Sequence, residues 1–189
     1  GKVMERNEAF KYSNIGYSIL GMIVAAASGQ TYREYTQEHV VDRLGLVNTG
    51  PELDDLRSDD YASGHSSRAY SAERRVIDHI DTHSESAATG FYSTAAELTD
   101  YFSAQLDGDG RLIGDDSKRM MRQVQWQIEE TWGYGLGLSI TKVHKRTYYG
   151  HGGGYPGHIT MSKFDPERKL AISVFTNSID GPASALCEA

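Results

Sequence analysis

The sequence predicts an α+β protein in which a helical part precedes an antiparallel sheet. Apolar residues recur at helical spacing from Asn14 to about Val124, whereas strand-like alternation begins after Trp132. A turn at residues 165–168 joins the last two predicted strands into a hairpin. Helices followed by an antiparallel meander are typical of the α+β class. We expect residues 1–189 to form a single partial domain: about 10–130 form its helical part, and about 131–189 hold antiparallel strands and the start of a C-terminal helix.

Four helices are predicted in the first part of the chain. The first carries apolar residues on one face, at positions 15, 19, 20, 23 and 24, and Gly29 is a natural stop. Capping boxes at Thr31–Glu34 and Thr94–Glu97 begin two more helices. A short fourth helix is predicted from about Asp116 to Gln125. Residues 48–89 are rich in Gly, Ser and Asp, and we expect them to be mostly loop.

Four strands are predicted in the second part of the chain. The first runs through Tyr, Leu, Leu and Ile at positions 134, 136, 138 and 140, which alternate with small or polar residues. The others are expected at Thr147–Gly150, Ile159–Phe164 and Leu170–Thr176. A sheet of this size with a single helical layer leaves one face open. We therefore expect a missing segment, or a second copy of the chain, to cover that face.

Charge and composition exclude several functional classes. The net charge of -7 argues against nucleic-acid binding, which needs clustered Lys and Arg. No apolar run reaches the roughly 18 residues of a transmembrane helix, so no membrane span is expected. Cys187 is the single cysteine, which excludes an internal disulfide and a Cys-based zinc site. The first six residues have no targeting character, and we interpret them as the middle of a longer chain.

Three segments of the chain carry its chemistry. They are FKYSNIGYSILG at 10–21, AATGFYSTAAEL at 87–98 and YGHGGGYPG at 149–157, followed by FDPE at 164–167 and VFTN at 174–177. In this order they resemble the serine β-lactamase and penicillin-binding-protein superfamily, which includes class C β-lactamases, esterases and DD-peptidases. The resemblance implies a β-lactamase/transpeptidase-like fold, incomplete in this chain. It also implies an acyl-transfer site between the helical part and a strand edge.

The resemblance assigns roles to three side chains. Tyr12 matches the family tyrosine, whose phenol moves a proton to or from the nucleophilic serine. Such a phenol is useful only if nearby cations lower its pKa from about 10. Asn14 matches the asparagine that orients the family lysine and the substrate amide, and His151 replaces the lysine of the third motif.

The resemblance also gives the glycines of the third motif a role. Gly152 and Gly153 let a substrate approach the strand backbone closely, because a Cβ there would collide with it. A backbone N–H near Gly154 is expected to be one oxyanion-hole donor. Two simpler interpretations stay open: the glycines form only a hairpin tip, and Tyr12 and Asn14 form only a helix entry with Asn14 as the N-cap.

The family nucleophile is not found among these residues. It lies in a Ser-x-x-Lys motif at the start of a buried helix, upstream of the Tyr-x-Asn motif. No serine precedes Tyr12 here. The one Ser-x-x-Lys, from Ser139 to Lys142, falls on a predicted strand, where residues i and i+3 point to opposite faces, and we interpret it as chance. We expect the serine and lysine to lie on another segment, so that this chain alone does not turn over substrate.

Other patterns in the sequence indicate weaker hypotheses. HGGG at 151–154 also resembles the oxyanion loop of lipase-type α/β-hydrolases, but the Gly-x-Ser-x-Gly elbow of those enzymes does not occur. GYGLG at 133–137 has the wrong spacing for a dinucleotide loop. His79 and His83, with Asp78 and Asp81, have the spacing of a metal-binding helical turn, but their predicted loop disfavours a metal site. We interpret residues 93 and 94 as helix caps only.

The resemblance implies that the parent protein is a serine hydrolase acting through an acyl-enzyme on ester, amide or β-lactam bonds. The expected partner is a small-molecule or peptide substrate, and no cofactor is implied. His151 in place of lysine favours esterase or peptidase activity over efficient β-lactamase activity. Export to the periplasm or beyond is common in this family, but this sequence leaves the compartment open. The alternatives are a binding or scaffold module that keeps the cleft without chemistry, and self-association across the open sheet face.

Overall fold

The main helices precede the sheet along the chain, as the sequence predicts. A computed structural model describes residues 8–69 and 71–188 of the protein. Within these residues no helix is both long and apolar enough to cross a membrane. The helices are α1 (Asn14–Ser28), α2 (Tyr32–Thr36, continued by a π-helical segment, Gln37–Asp42), α3 (Ser86–Thr89), α4 (Ala95–Ser103), α5 (Asp115–Arg122) and α6 (Ala183–Glu188).

The ends of α1 and α2 follow from local side-chain chemistry. Ser13, and not Asn14, is the N-cap of α1, because its Oγ accepts a hydrogen bond of 3.0 Å from the N–H of Gly16. Gly29 ends the helix with φ 74°, a conformation that glycine adopts without a Cβ penalty. The predicted capping box at Thr31 and Glu34 is confirmed, with both of its hydrogen bonds formed.

The second predicted capping box forms only in part. The Oγ1 of Thr94 accepts from the N–H of Glu97, which begins α4 as predicted. The carboxylate of Glu97 does not return to Thr94. It accepts instead from the N–H of Asn48 at 2.9 Å and from the hydroxyl of Thr49 at 2.7 Å. Glu97 therefore links Asn48 and Thr49 to the first turn of α4.

The described residues of 48–93, which we call the long segment, have little regular structure, as predicted for 48–89. They contain two short 3-10 turns, Asp55–Asp60 and His83–Glu85, a two-stranded ribbon of β1 (Gly64–His65) and β2 (Val76–Ile77), and α3. α3 packs against α1 so closely that a Cβ added to Gly21 would lie 2.5 Å from the Cβ of Ala87. The long segment thus bridges α1 and the sheet.

The sheet has six antiparallel strands in the order of the sequence among the residues described. They are β3 (Trp126–Glu129), β4 (Trp132–Tyr134), β5 (Ser139–Val143), β6 (Arg146–Tyr155), β7 (His158–Asp165) and β8 (Leu170–Thr176). β3 begins before the predicted change of period at Trp132. The α+β prediction is confirmed, although the sheet holds more strands than the sequence suggested.

One predicted strand is in fact a hairpin. The prediction of a single strand through positions 134 to 140 was wrong, because Gly137 takes φ 72° and the chain reverses there. The N–H of Gly135 donates to the carbonyl of Leu138 at 2.8 Å across this turn, and Tyr134 pairs with Ser139. The alternation of apolar residues continued through the turn, so periodicity alone did not reveal it.

Both faces of the sheet carry a helix. Phe102 of α4 packs on Phe164 of β7, with ring centroids 5.8 Å apart, and Leu138 completes this buried cluster. Lys163, the neighbour of Phe164, points to the opposite face, where its Nζ pairs with Glu188 of α6 at 2.7 Å. The face predicted to be open is therefore partly covered by α6. Its uncovered apolar side chains, by strand register, include those of Trp132, Val143 and Ile172.

Candidate active site

A cavity of about 750 Å³ lies where α1, the long segment and the sheet meet. Its walls come from the start of α1, from α3 and the residues around it, and from the ends of β6, β7 and β8. None of the described residues that line it is an Asp, Glu, Lys or Arg. The polar groups of its lining are those of His, Tyr, Asn, Ser and Thr side chains together with the backbone.

All six residues that the sequence nominated line this one cavity. Tyr12 and Asn14 come from the start of α1, whereas His151 and the three glycines that follow it come from β6. The fold thus brings together two motifs that are far apart in the sequence. Their chemical roles remain predictions.

Three rings form a triangle at one end of the cavity. The ring centroids of Tyr12 and His151 are 6.0 Å apart, and those of Tyr12 and Tyr134 are 6.3 Å apart. Tyr134 and His151 close the triangle at 5.9 Å, with their planes nearly perpendicular. Tyr134 is buried, whereas Tyr12 is 49% exposed and open to a ligand.

Hydrogen bonds at both ring nitrogens fix the orientation of His151. Its Nε2 lies 2.8 Å from the hydroxyl of Tyr134, and its Nδ1 faces the carbonyl of Gly152. A carbonyl oxygen only accepts, so Nδ1 must carry a proton. In the neutral imidazole, Nε2 then accepts from the hydroxyl of Tyr134. Burial raises the pKa of Tyr134, and the neighbouring Tyr17 adds to this, so that the phenol keeps its proton and can donate.

The surroundings of Tyr12 do not meet the condition that a proton-shuttling phenol requires. Burial raises the pKa of Tyr12, and the neighbouring phenol of Tyr17 adds to the effect. The cations that the sequence analysis expected beside it are not found among the described residues that line the cavity. Within the described surroundings, Tyr12 is therefore a protonated hydrogen-bond donor at neutral pH.

Asn14 is the first residue of α1 and is exposed. Because Ser13 already caps the helix, the side chain of Asn14 is not needed for that purpose. Its amide makes no hydrogen bond to another residue in the ranges 8–69 and 71–188. The simpler interpretation of Asn14 as an N-cap was wrong, and its amide faces the cavity without an internal partner there.

The edge of β6 beside His151 is open. β5 pairs with β6 only as far as Gly150, so residues 151–155 pair with β7 alone among the described strands. Gly150 is required by packing, since its Cβ would lie 2.0 Å from the carbonyl oxygen of Ser162. At Gly153 and Gly154 a Cβ would meet only side chains of β7. These glycines lie within a strand and not at a hairpin tip, because the turn is formed by residues 156 and 157.

None of the described serines in or near the site has a lysine positioned as its partner. Ser139 and Lys142 lie on β5 at positions that face opposite sides of the sheet, and the Oγ of Ser139 accepts from the indole N–H of Trp132 at 2.9 Å. Ser86 and Ser93 line the cavity. The Oγ of Ser93 lies 2.7 Å from the hydroxyl of Thr49 and donates to a backbone carbonyl. No described lysine lines the cavity beside either of them.

Sequence reasoning missed several residues of the site. The sequence predicts only a strand position for Tyr134, although its hydroxyl lies 2.8 Å from the Nε2 of His151. His79 was considered as a metal ligand together with His83. The ring of His79 instead lies against Tyr155, whereas His83 pairs with Asp81 at 3.4 Å. Among the described residues, no group of three or more His, Cys, Asp or Glu could hold a metal ion.

Comparison with known proteins identifies the family. The Beta-lactamase family model matches residues 3–186, which is nearly the whole chain. This chain belongs to the β-lactamase family. The resemblance drawn from its three motifs is therefore confirmed at the level of the serine β-lactamase and penicillin-binding-protein superfamily, a family of serine-hydrolase type.

Relatives of this β-lactamase-family chain are considerably longer. Penicillin-binding protein 4* of Bacillus subtilis (strain 168) is 26% identical over 179 residues, which are 89% of this chain and 40% of that protein. The octameric penicillin-binding protein homologue from Pyrococcus abyssi matches with a TM-score of 0.82 at 25% identity, over 98% of this chain and 42% of that chain. D-amino acid amidase from Ochrobactrum anthropi SV3 shares the fold, with a TM-score of 0.72 at 22% identity, over 93% of this chain and 53% of that chain. The chain thus spans about half the length of these relatives or less, and the predicted β-lactamase-like fold is confirmed over that part.

Proposed function

We propose that this chain forms the Tyr-x-Asn and His-Gly-Gly side of the active site of a serine hydrolase. The enzyme acts through an acyl-enzyme on an ester, amide or β-lactam bond. The observation that carries the proposal is the meeting of Tyr12, Asn14 and His151 in one cavity beside an open strand edge. Membership of the β-lactamase family supports the reaction class.

The nucleophile in this proposal is the serine of a Ser-x-x-Lys motif on polypeptide beyond these 189 residues. Two observations support that assignment. The Ser139 to Lys142 pair lies on a strand, outside the described lining of the cavity. The pKa of Tyr12 is raised in its described surroundings, whereas proton transfer requires a cation that lowers it. In this proposal the lysine of the Ser-x-x-Lys motif supplies that cation.

Each residue then has a role in the acyl transfer. The serine oxygen attacks the carbonyl carbon while its proton passes to the Tyr12–lysine pair, which later protonates the leaving group. The Asn14 amide, unbonded to other described residues, orients the lysine and the substrate amide. The backbone N–H near Gly154 stabilises the oxyanion. Gly152 and Gly153 leave the strand edge accessible to the substrate.

The substrate preference follows from the charge of the cavity. No described lining residue is a permanent cation, and His151 already uses both ring nitrogens within the protein. A substrate that carries a carboxylate, as β-lactams do, gains little from such a site compared with a lysine. We therefore propose ester or amide substrates in preference to β-lactams.

The test is labelling with a fluorophosphonate, which reacts with activated serines. The 189-residue chain and the longer product of its gene are treated in parallel, and intact mass and peptide mapping locate the label. We expect the longer product to be labelled on a Ser-x-x-Lys serine and the chain to remain unlabelled. Stoichiometric labelling of the chain at Ser86, Ser93 or Ser139 would contradict the missing nucleophile.

A second candidate function is binding without chemistry. It is favoured by the absence of a described lysine from the lining of a cavity that is otherwise formed. In that case neither polypeptide is labelled, yet the chain still binds acyl-D-alanine peptides. Calorimetric titration with such a peptide separates this outcome from loss of function through misfolding.

We also propose that the uncovered part of the α6 face is buried by another polypeptide segment or by a second copy of the chain. The half-exposed side chains of Trp132 and Ile172 support this proposal, since exposed apolar patches mark interaction surfaces. Light scattering coupled to size exclusion tests self-association. A monomer at all concentrations contradicts the second copy and leaves the separate segment as the occupant.

A further inference from the structure

The end of the cavity opposite the Tyr12–His151 triangle is built from aromatic rings. The ring of His79 lies nearly parallel to those of His158 and Tyr155, with centroids 5.9 Å and 6.4 Å away, and Tyr61 meets it edge-on at 5.6 Å. All four residues line the cavity. We call Tyr61, His79, Tyr155 and His158 the aromatic cluster.

The polar atoms of three members of the aromatic cluster are used within the protein. The hydroxyl of Tyr155 donates to the carbonyl of Ile80 at 2.6 Å, and that of Tyr61 accepts from the N–H of Asp54 at 2.8 Å. The two ring nitrogens of His158 face the carbonyls of Ala62 and Pro156. These three side chains therefore offer a ligand ring surface and not hydrogen-bond donors.

His79 differs from the other three members. Within the ranges 8–69 and 71–188 its ring makes aromatic contacts but no hydrogen bond, and the residue is exposed. It comes from the long segment, whereas Tyr155 and His158 come from the sheet. A ring that is exposed on one side and backed by aromatic rings on the other is suited to stack against a planar group.

The register of β6 connects the aromatic cluster to the proposed reaction centre. Residues 151, 153 and 155 point to the same face because side chains alternate along a strand. At about 3.3 Å per residue, Tyr155 lies roughly 13 Å along the strand from His151. Gly153 lies between them and has no side chain, so the floor of the cavity is clear over this distance. A Cβ there would come within 2.4 Å of the hydroxyl of Thr160.

We propose that the aromatic cluster is a specificity subsite, in which His79 stacks against a planar side chain of an extended substrate. This inference rests on the proposed function for the position of the reacting bond. It adds that the substrate is long enough to span about 13 Å, which corresponds to about four residues of extended peptide. It also adds that an aromatic group at that distance is preferred to an aliphatic one of similar size.

The test compares two peptide amides without a terminal carboxylate, acetyl-Phe-Gly-Gly-Gly-D-Ala-D-Ala-amide and the same peptide with Leu in place of Phe. Binding to the 189-residue chain is followed by NMR of ¹⁵N-labelled histidine rings. The His79 signal is assigned as the one that is missing in His79→Phe. We expect the Phe peptide to bind about five-fold more tightly, and to shift the His79 signal, because an aromatic pair adds to the burial of area.

Variants separate stacking from a general effect on the fold. His79→Ala should reduce the Phe-to-Leu ratio to below about two-fold, whereas His79→Phe should keep it, because a planar ring remains. His83→Ala is the matched control, since His83 lies in the same loop but pairs with Asp81. Equal binding of the two peptides, binding of neither, or an unchanged ratio in His79→Ala would each overturn the proposal.

Failure of the subsite proposal can be distinguished from failure of the proposed hydrolase function. Peptide binding needs no acyl-enzyme, so the preference for Phe is measured independently of serine labelling. If fluorophosphonate labels no polypeptide but the Phe peptide still binds at His79, the hydrolase is excluded and the subsite stands. If the longer gene product is labelled but Phe and Leu bind equally, the hydrolase stands and the subsite is excluded.

Discussion

The sheet and the long segment both line the cavity, yet they are held in place by different forces. The sheet is held by continuous backbone ladders and by the buried hydrophobic core of Phe102, Leu138 and Phe164. The long segment has few backbone ladders of its own and is fastened by side chains that reach main-chain groups. Asn177, for example, donates to the carbonyl of Ser63, and His158 lies against that of Ala62. The long segment should therefore open locally without unfolding of the sheet.

The largest expected effect comes from the core of the sheet. Phe164 is only 1% exposed and packs on Phe102 and Tyr149. Phe164→Ala should lower the free energy of unfolding by about 3–5 kcal/mol, since it removes buried area and leaves a void. Urea denaturation followed by circular dichroism measures the change.

The control for the core is Leu170→Ala on the neighbouring strand. Leu170 is 59% exposed, so its replacement should change the free energy of unfolding by no more than about 0.5 kcal/mol. A loss below about 1 kcal/mol for Phe164→Ala would mean that the packing of Phe164 on Phe102 and Tyr149 does not hold the sheet.

A smaller and local effect is expected where the long segment is fastened after β8. The carboxylate of Asp180 pairs with Arg74 and accepts from the N–H of Arg68 at 3.0 Å and from the hydroxyl of Ser67 at 3.2 Å. Asp180→Asn removes the ion pair. We expect faster hydrogen exchange at the amide of Arg68, with little change in global unfolding. Asp60→Asn, an exposed partner of Arg57, is the control.

The interactions of Asp180 with Arg74 and Arg68 have a defined pH dependence. The hydrogen bonds from Arg74 and from the Arg68 backbone lower the pKa of Asp180 below its unfolded value of about 3.9. A group whose pKa is lowered on folding contributes its stabilisation above the unfolded pKa and loses it as pH falls through the folded pKa. Protection of the Arg68 amide should therefore be constant from neutral pH to about pH 5 and decline only below about pH 4. Decline between pH 7 and 5 would point to a different group.

The contrast between the two regions also explains what the sequence could reveal. Tyr12, Asn14 and His151 were predicted as site residues from short motifs. Such a motif can be recognised even where the surrounding secondary structure is predicted wrongly. His79 and Tyr61 come from the long segment, which has no hydrophobic period, so their meeting with Tyr155 depends on tertiary packing alone. The hairpin at Gly137 was hidden because a positive φ leaves no mark on apolar alternation.

Tyr134 is the sharpest case, because that hairpin gives the residue its role. The register pairs Tyr134 with Ser139 and Ser139 with Gly150, the residue before His151, and the hydroxyl of Tyr134 lies 2.8 Å from the Nε2 of His151. Tyr134→Phe deletes that hydrogen bond but keeps the ring. We expect a smaller fraction of the imidazole in the form protonated at Nδ1, because Nε2 no longer has a donor. The ¹⁵N shifts of the His151 ring measure this fraction.

The free energy of unfolding of Tyr134→Phe at alkaline pH provides a second measurement. Burial raises the pKa of Tyr134 on folding, so its contribution to stability is complete below the unfolded value of about 10 and is lost as pH rises through the higher folded value. The free energy of unfolding should fall less steeply above about pH 10 in Tyr134→Phe than in the unaltered chain. Tyr148→Phe is the matched control, because among the described residues the hydroxyl of Tyr148 has a hydrogen bond only from the exposed Arg146, at 3.4 Å. If both variants leave the His151 shifts and the alkaline slope unchanged, the phenol of Tyr134 does not orient His151.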